Sequence, residues 1–401
     1  MRLSDTALGA VLVIVVAGGV AAFTWASTEL LDQDIAGRPP EIVTVASMSF
    51  PRVDHTAVLL DDGRVLVQGG GDGETISYIT AEIYDPAART WTKAPTMDSA
   101  RRDHRSIALP DGRVLSTGGL DHFGVTFTAE TFDPGTGEIV TGRGMRTQRA
   151  LHSLTLMPDG HVLVIGGFSG TAPIAFTDLY DPNTGRFEPG PDLNGARAWH
   201  TATLLADGRV LIAGGSGFGQ ARQSVEAYNP ETDVFDVLES LSEPRFLHTA
   251  TLLADGRVVV IGGQETIEVF SSVEIYDPKT GRWSPGAAMS IARSQHTATL
   301  LPDGRIMVTG GFNALGVLDR VDIYNPLKDK WVFAGALEQP RGRHTATLLA
   351  DGSVLIVGGI DDSPNALVGF AQLSGVPRSE VELLFPEGAP AEPRTPVEKT
   401  G

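Results

Sequence analysis

The chain contains no cysteine among its 401 residues. This absence excludes disulfides, thiolate nucleophiles, cysteine-ligated zinc and lipid attachment through cysteine. Basic residues are also few. The chain has 31 lysines and arginines but 49 aspartates and glutamates, which gives a formal net charge of −18. A surface this acidic repels phosphate backbones, and no lysine and arginine cluster interrupts it. We therefore expect no nucleic-acid partner.

Glycine, in contrast, is abundant at 47 residues, and hydrophobic residues make up 42% of the chain. A large core interrupted by many tight turns is typical of an all-β protein.

One long uncharged segment stands at the N-terminus, over residues 6–25. Twenty apolar residues can cross a hydrocarbon core of about 30 Å as a helix. Arg2 precedes the segment and acidic residues follow it, which favours an N-terminus in the cytoplasm. We expect residues 1–35 to form a signal-anchor and linker that holds the rest outside the cytoplasm. A cleaved signal peptide, which would leave the protein secreted, stays open as the alternative.

A glycine pair recurs seven times, first after 49 residues and then after every 48. Such a fixed period is the signature of a repeat architecture. The pairs begin at Gly69, Gly118, Gly166, Gly214, Gly262, Gly310 and Gly358.

Each repeat contains four apolar runs, as residues 200–215 (HTATLLADGRVLIAGG) and the later run 273–278 (VEIYDP) illustrate. An Asp-Gly pair separates the first two runs and predicts a hairpin with a type I′ turn. The fourth run begins with an aromatic or branched residue such as Trp283. Four antiparallel strands in about 48 residues make one propeller blade.

The ends of the chain indicate how the ring closes. The seventh repeat supplies three strands before residues 387–401, a Pro/Glu-rich tail that we expect to be disordered. The run 42–48 (IVTVASM) precedes the first repeat. Its last residue, Met48, stands seven residues before His55, just as Met289 stands seven residues before His296. The sequence thus predicts an all-β, seven-bladed propeller of four-stranded antiparallel blades over residues 36–386, with an N-terminal strand completing blade seven.

The glycine pair, the (V/A)-E-x-Y-D-P run and the fourth-strand aromatic resemble the kelch repeat over residues 42–385. This resemblance implies a propeller but not one function, since kelch propellers include enzymes, scaffolds and ligand binders. Kelch-like copper radical oxidases need a tyrosine linked to cysteine, which this chain lacks. Phosphate loops, His-Glu-x-x-His and the sialidase turn are absent as well. We therefore predict no catalytic residues, no metal and no cofactor.

Each repeat opens with Arg-x-x-His. Seven equivalent histidines around a channel stand too far apart to ligate one ion at about 2.1 Å. We instead expect each histidine and its following hydroxyl to bond locally and to link neighbouring blades. The histidines are His55, His104, His152, His200, His248, His296 and His344.

The repeat arginines have two interpretations. In the first, each pairs with the acidic residue of a third strand, because an unpaired charge near a sheet core is costly. In the second, the arginines lie together at the mouth of the channel and attract an anionic ligand. The loops before each first strand and the loops after each second strand share this face. The arginines are Arg52, Arg101, Arg149, Arg197, Arg245, Arg293 and Arg341, and the acidic residues are Glu82, Glu130, Asp178, Glu226, Glu274, Asp322 and Glu382.

Loops offer a further candidate site, because they vary while the scaffold repeats. Blade seven has twelve extra residues between Gly358 and its third strand. There we expect ligand contacts from Asp361, Asp362, Phe370 and Arg378. His122 in blade two is a smaller candidate, against the alternative that it is simply a solvent-exposed loop residue.

Three classes of function remain open from the sequence. The leading one is a non-catalytic, extracytoplasmic recognition module, monomeric, that binds a protein or an anionic glycan with its loop-rich face. The second is a carbohydrate-active enzyme of the sugar isomerase or lyase type, with its catalytic residues in individual loops. The third is a structural cell-surface protein.

Overall fold

A computed structural model describes residues 40–361 and 376–386 of the chain. These residues form 36 strands and no helix. Seven sheets each contain four antiparallel strands, and four further sheets are short two-stranded hairpins. The predicted all-β class and the seven-bladed propeller are confirmed.

The first strand of the chain belongs to blade seven, and the blades then follow in sequence order. Blades one and two contain, after β1 (Glu41–Val45), the strands β2 (Val53–Leu59), β3 (Val65–Gly71), β4 (Ala81–Asp85), β5 (Thr90–Ala94), β6 (Arg105–Ala108), β7 (Val114–Thr117), the hairpin β8 (Leu120–Asp121) and β9 (Gly124–Val125), β10 (Ala129–Phe132) and β11 (Ile139–Thr141). Blades three and four contain β12 (Ser153–Leu156), β13 (Val162–Ile165), β14 (Thr177–Asp181), β15 (Arg186–Pro189), β16 (Thr201–Leu204), β17 (Val210–Ala213), the hairpin β18 (Ser216–Gly217) and β19 (Gln220–Ala221), β20 (Val225–Asn229) and β21 (Val234–Leu238).

The last three blades repeat this arrangement. They contain β22 (Thr249–Leu252), β23 (Val258–Ile261), the hairpin β24 (Gln264–Glu265) and β25 (Glu268–Val269), β26 (Val273–Asp277), β27 (Arg282–Gly286), β28 (Thr297–Leu300), β29 (Ile306–Thr309), the hairpin β30 (Phe312–Asn313) and β31 (Gly316–Val317), β32 (Arg320–Asn325), β33 (Lys330–Ala336), β34 (Thr345–Leu348), β35 (Val354–Val357) and β36 (Val381–Phe385).

The hydrophobic core lies between neighbouring blades. Val259 and Ile261 of blade five, for example, pack with Ile306, Val308 and Tyr324 of blade six. Alternate residues of a strand face opposite sides of its sheet, so each blade contributes to two such layers. The first strands of adjacent blades contact one another around the ring, and β2 contacts β34. The innermost strands therefore enclose a central channel.

The N-terminal strand closes the ring as the sequence predicts. β1 pairs antiparallel with β36, with Glu41 opposite Phe385 and Val45 opposite Val381. Ile42 packs against the cluster between blades six and seven. This pairing covers an edge that blade seven would otherwise expose.

Substitution of Ile42 tests how firmly β1 is docked. Ile42→Ser is expected to lower the free energy of unfolding by about 1–2 kcal/mol, because the side chain loses apolar contacts at the blade interface. Ile267→Ser is the matched control, since Ile267 is 69% exposed. Urea unfolding curves measure both. Equal effects of the two substitutions would contradict a docked β1.

The hairpin turns differ from the predicted type. In blade four, Gly208 N–H donates to the carbonyl of Leu205 at 3.0 Å, and Leu205 N–H donates to that of Arg209 at 2.8 Å. Gly208 has φ of 85°, whereas Asp207 is not among the described residues with positive φ. This is a three-residue loop, a type I turn followed by a left-handed glycine. The type I′ prediction was wrong because the loop contains one residue more than Asp-Gly.

The glycine pair has a packing role. A Cβ atom on Gly214 would lie 2.4 Å from the carbonyl oxygen of Arg245 in the next blade. Gly215 N–H donates to that same carbonyl at 2.8 Å. The contact recurs around the ring and ends with Gly359 N–H donating to Arg52 at 3.0 Å. Glycine is needed there because two backbones approach too closely for a side chain.

Three sequence predictions fall outside the described residues. They are the signal-anchor and linker over residues 1–35, the tail over 387–401, and the part of the blade-seven loop that carries Asp362 and Phe370. Across residues 40–361 and 376–386 we find no helix that could span a membrane.

Candidate functional site

Two sets of loops meet on one face of the disk, which we call the mouth face. The segment before each first strand forms a bridge with the residue after the glycine pair, as Arg102 does with Leu120 and Phe246 with Gln264. This arrangement is the one expected from the strand directions. The Arg-x-x-His segments and the loops between second and third strands therefore surround the same end of the channel.

The seven repeat arginines are buried inside the blades. Arg245, for example, has no exposed surface. Its Nη2 lies 2.8 Å from Glu274 Oε1, and its Nη1 donates to the carbonyl of Gly262 at 2.8 Å. The same ion pair forms in every blade: Arg52–Glu82, Arg101–Glu130, Arg149–Asp178, Arg197–Glu226, Arg245–Glu274, Arg293–Asp322 and Arg341–Glu382.

These contacts decide between the two interpretations of the arginines. Burial lowers the pKa of Arg197 to about 10, and the Glu226 carboxylate opposes that shift. The ion-pair prediction is confirmed. The structure does not place the seven guanidinium groups at the channel mouth, because each extends from the start of an inner strand toward the third strand of its own blade.

The seven repeat histidines link the blades, as predicted. His248 Nε2 lies 3.1 Å from Thr201 Oγ1 of the preceding blade, and His55 Nε2 lies 2.9 Å from Thr345 Oγ1 across the closure. Burial, reinforced by the neighbouring repeat arginine, lowers the pKa of His55 and of His248 to about 3. These imidazoles are therefore neutral at physiological pH.

A ring of unusual backbone conformation surrounds the channel mouth. The residue before each repeat histidine has φ between 53° and 59°, a region that non-glycine residues rarely adopt. Hydrogen bonds pass from one blade to the next, as from Leu151 N–H to Asp103 O and from Trp199 N–H to Leu151 O, both at 3.1 Å. The mouth ring, as we call it, consists of Asp54, Asp103, Leu151, Trp199, Leu247, Gln295 and Arg343.

One side of the mouth ring is charged. Arg343 of blade seven pairs with Asp54 of blade one, and its Nη2 lies 3.6 Å from Asp103 Oδ1 of blade two. Burial raises the pKa of Asp54 to about 7, although the Arg343 guanidinium acts in the opposite direction. The pair joins the first and the last blade.

The other side of the mouth ring is apolar. Leu151, Trp199 and Leu247, from blades three to five, line a cavity of about 420 Å³ together with Phe168 and the charged residues opposite. This volume lies within the range of about 300–1,000 Å³ that is common for small-molecule sites. The repeat scaffold thus carries one chemically two-sided site at its axis.

Arg105 lines the cavity as well, and neither it nor the mouth ring was predicted from the sequence. In six blades a hydroxyl follows the repeat histidine and bonds to the next histidine, as Thr56 Oγ1 does to His104 Nε2 at 3.0 Å. Blade two has Arg105 instead, and His152 bonds to Thr117 Oγ1 at 2.8 Å. The break in the His-Thr or His-Ser pattern was the available signal.

The predicted loop residues are spread over the rim. Asp361 and Arg378 form an ion pair with each other, and Arg378 Nη2 also donates to Gln339 Oε1 at 3.4 Å. His122 is exposed at the β8–β9 hairpin, with its ring centroid 3.7 Å from that of Phe123. Arg378 lies beside a repeat arginine, because its carbonyl accepts a hydrogen bond from Arg52 N–H at 3.1 Å. The guanidinium groups of the repeat arginines nevertheless bind carboxylates inside their blades, so the predicted residues do not form one charged site.

Large apolar side chains project from the loops between second and third strands. Leu315 is 97% exposed and Phe123 88%, while Phe218 and Ile267 are 70% and 69% exposed. In six of the seven blades one of these side chains is at least 55% exposed, and we call this set the apolar crown: Ile76, Phe123, Phe218, Ile267, Leu315 and Val376.

These features define the protein as a β-propeller with a loop-rich face around an axial cavity. The chain matches the KLHDC2/KLHL20/DRC7 Kelch-repeats domain over residues 152–359 and the Kelch motif over residues 51–98. It belongs to the kelch-repeat family. No curated protein matches it. A kelch propeller fits a protein-interaction module in general.

Among solved structures, the chain is similar to a novel fungal alcohol oxidase of the AA5 family in complex with copper. The TM-score is 0.69 at 18% identity, over 87% of this chain and 76% of that one. Identity this low shows the fold alone. Across the described residues no three histidine, aspartate or glutamate side chains gather as metal ligands.

Proposed function

We propose that this propeller is a non-catalytic recognition module, held outside the cytoplasm, and that it binds a partner protein with its apolar crown. The supporting observation is the recurrence of exposed apolar side chains at equivalent loop tips around one face. Scattered single exposures are normal on a protein surface, but a ring of them marks an interaction site.

The charge of the chain indicates the chemistry of that partner. A net charge of −18 favours a partner whose apolar contact patch has a basic rim, because opposite charges steer encounter and fix orientation. An anionic glycan is less well supported, because the seven repeat arginines are already paired with buried carboxylates. Binding of a glycan is therefore an outcome of the test rather than part of the proposal.

The location outside the cytoplasm rests on the uncharged segment 6–25 and the charges around it. A reporter fused after Gly401 tests this point. Activity of a reporter that works only outside the cytoplasm supports the proposal, and activity of a cytoplasmic reporter contradicts it.

Site-specific photo-cross-linking in cells identifies the partner. A cross-linkable residue at Leu315 is expected to capture a protein, whereas the same residue at Val237, which is 69% exposed on the outer strand β21, is the matched control. Capture only from Val237, or salt-sensitive binding of the propeller to acidic glycans without any captured protein, would contradict the proposal.

Removal of crown side chains should weaken the complex with that partner. Phe218→Ser combined with Leu315→Ser is expected to reduce affinity by at least about tenfold, because a fully buried aliphatic or aromatic side chain contributes about 1.5–3 kcal/mol. The melting temperature should stay unchanged, since both side chains are exposed in the free protein. Titration calorimetry measures the affinity, with Val237→Ser as the control.

An enzyme remains a second candidate because of Asp54. A carboxyl whose pKa is raised to about 7 in a cavity is a feature of many acid–base sites. Asp54 is, however, already paired with Arg343. Turnover in a substrate screen that disappears in Asp54→Asn would favour the enzyme.

A further inference from the structure

The axial cavity contains an arginine whose charge the surrounding residues leave largely unpaired. Among the described residues, Arg105 donates only one hydrogen bond, from Nη1 to the carbonyl of His104 at 3.2 Å, and no carboxylate lies within ion-pair distance. A guanidinium has five N–H donors, so most of them remain for a ligand. Burial lowers the pKa of Arg105, whereas Asp103 and Asp54 oppose the shift.

The position of Arg105 breaks the repeat. Six blades place a threonine or serine after the repeat histidine, and these hydroxyls complete the hydrogen-bonded ring. Arg105 cannot make that bond, and His152 bonds to Thr117 instead. A half-buried cation without a carboxylate partner is costly to keep. An arginine that costs stability and faces a cavity is a functional-site candidate.

The charges around the cavity limit the ligand to a single negative charge. The charged residues that line the cavity are Arg102, Arg105, Arg343, Asp54, Asp103 and Glu74. Arg343 is engaged with both aspartates. The buried Nη1 of Arg102 has no hydrogen-bond partner. Glu74 is exposed, so water screens its charge. The other five side chains are half-buried and sum formally to one positive charge when Asp54 is ionised, which a carboxylate balances and a phosphate dianion would exceed.

The opposite wall determines the rest of the ligand. Leu151, Trp199, Leu247 and Phe168 offer no charge, so they favour an aliphatic or aromatic body over a sugar. We propose that the axial cavity binds a small monocarboxylate with an apolar body, held by Arg105 at its carboxylate and by Leu151, Trp199 and Leu247 along its body. This site is separate from the crown that carries the proposed protein contact.

Matched probes test the charge requirement. 3-Phenylpropanoate is expected to bind the full-length protein at least about tenfold more tightly than 3-phenylpropanamide, because a hydrogen bond to a charged group contributes about 1.5–3 kcal/mol. Titration calorimetry measures both affinities. Equal affinities, or no binding of 3-phenylpropanoate at millimolar concentration, would overturn the proposal.

A consensus substitution tests the residue. Arg105→Thr restores the residue that most other blades have, so the fold should be kept, and we expect the preference for the carboxylate over the amide to disappear. Arg186→Thr is the control, because Arg186 is exposed on the outer strand β15. Both substitutions change the net charge of the protein by the same amount. A preference that survives Arg105→Thr overturns the assignment. Neither substitution touches the crown, so partner capture at Leu315 tests the proposed function independently.

Discussion

Mild acid is expected to unfold this propeller cooperatively as the pH falls from about 6.5 toward 4.5. The cause is the ring of seven buried repeat histidines, whose pKa values lie below the ordinary 6.5, at about 3 for His55, His248 and His344. Above pH 6.5 these imidazoles are neutral in both the folded and the unfolded chain. Below pH 6.5 these histidines bind protons only in the unfolded chain, so each of them lowers the free energy of unfolding as the pH falls.

The size of the effect follows from the number of protons. Each histidine contributes a slope of about 1.4 kcal/mol per pH unit once its unfolded form is protonated. Asp54, Asp178 and Glu382 oppose part of this effect, because burial raises their pKa values and the folded chain then binds protons there before the unfolded chain does. About four to six protons remain, or on the order of 5–8 kcal/mol per pH unit. Ordinary domains have only about 5–15 kcal/mol in total.

Urea unfolding at a series of pH values between 8 and 4.5 measures this slope. His248→Gln should reduce proton uptake on unfolding by one, whatever it does to stability at pH 8, because glutamine does not titrate. His122→Gln is the control, since His122 is exposed and lies outside the ring. A stability that stays flat between pH 7 and pH 5 would show that the histidines are accessible to protons in the folded state.

The blades and the closure could be predicted from the sequence because each repeat contains its own signals. Turn glycines at a fixed period and alternating apolar residues specify a blade without reference to any other blade. Residues 42–48 could be assigned to a fourth strand because Met48 stands seven residues before His55, the same distance that separates Met289 from His296. The pairing of Glu41 with Phe385 agrees with that count.

The side-chain directions were harder to predict. An arginine at the start of an inner strand can extend to the channel or into its blade, and only the position of the carboxylate, 30 residues away between Arg52 and Glu82, decides. Turn type was similarly ambiguous, since Asp-Gly suits both the I′ turn and the three-residue loop. Asp54 and Arg343 are 289 residues apart, and they become neighbours only when the ring closes.

The channel site shows how an internal repeat conceals function. The backbone of the mouth ring is the same in all seven blades, with positive φ at each position. Its side chains nevertheless differ, being charged at Asp54 and Arg343 and apolar at Leu151 and Leu247. A position whose backbone is fixed and whose side chain varies is available for recognition, whereas the uniform arginines and histidines serve the scaffold.

The uniform arginines lead to the second large prediction. Arg197→Leu is expected to lower the free energy of unfolding by about 3–5 kcal/mol, because it leaves the Glu226 carboxylate buried without its cation. Glu226 would keep only the bonds from Asn194, whose N–H and Nδ2 donate to Oε2 at 2.7 and 2.8 Å. Urea unfolding at pH 8 separates this effect from histidine titration.

Two matched variants show that burial of an unpaired charge is the reason. Arg209→Leu should cost no more than about 1 kcal/mol, because Arg209 and Asp207 form a partly exposed pair at the hairpin turn. Arg197→Leu with Glu226→Leu should be less destabilised than Arg197→Leu alone, since the double variant leaves no buried charge. If Arg197→Leu instead left stability unchanged, the ion pair would not hold the blade, and the arginines would again be candidates for binding an anionic ligand.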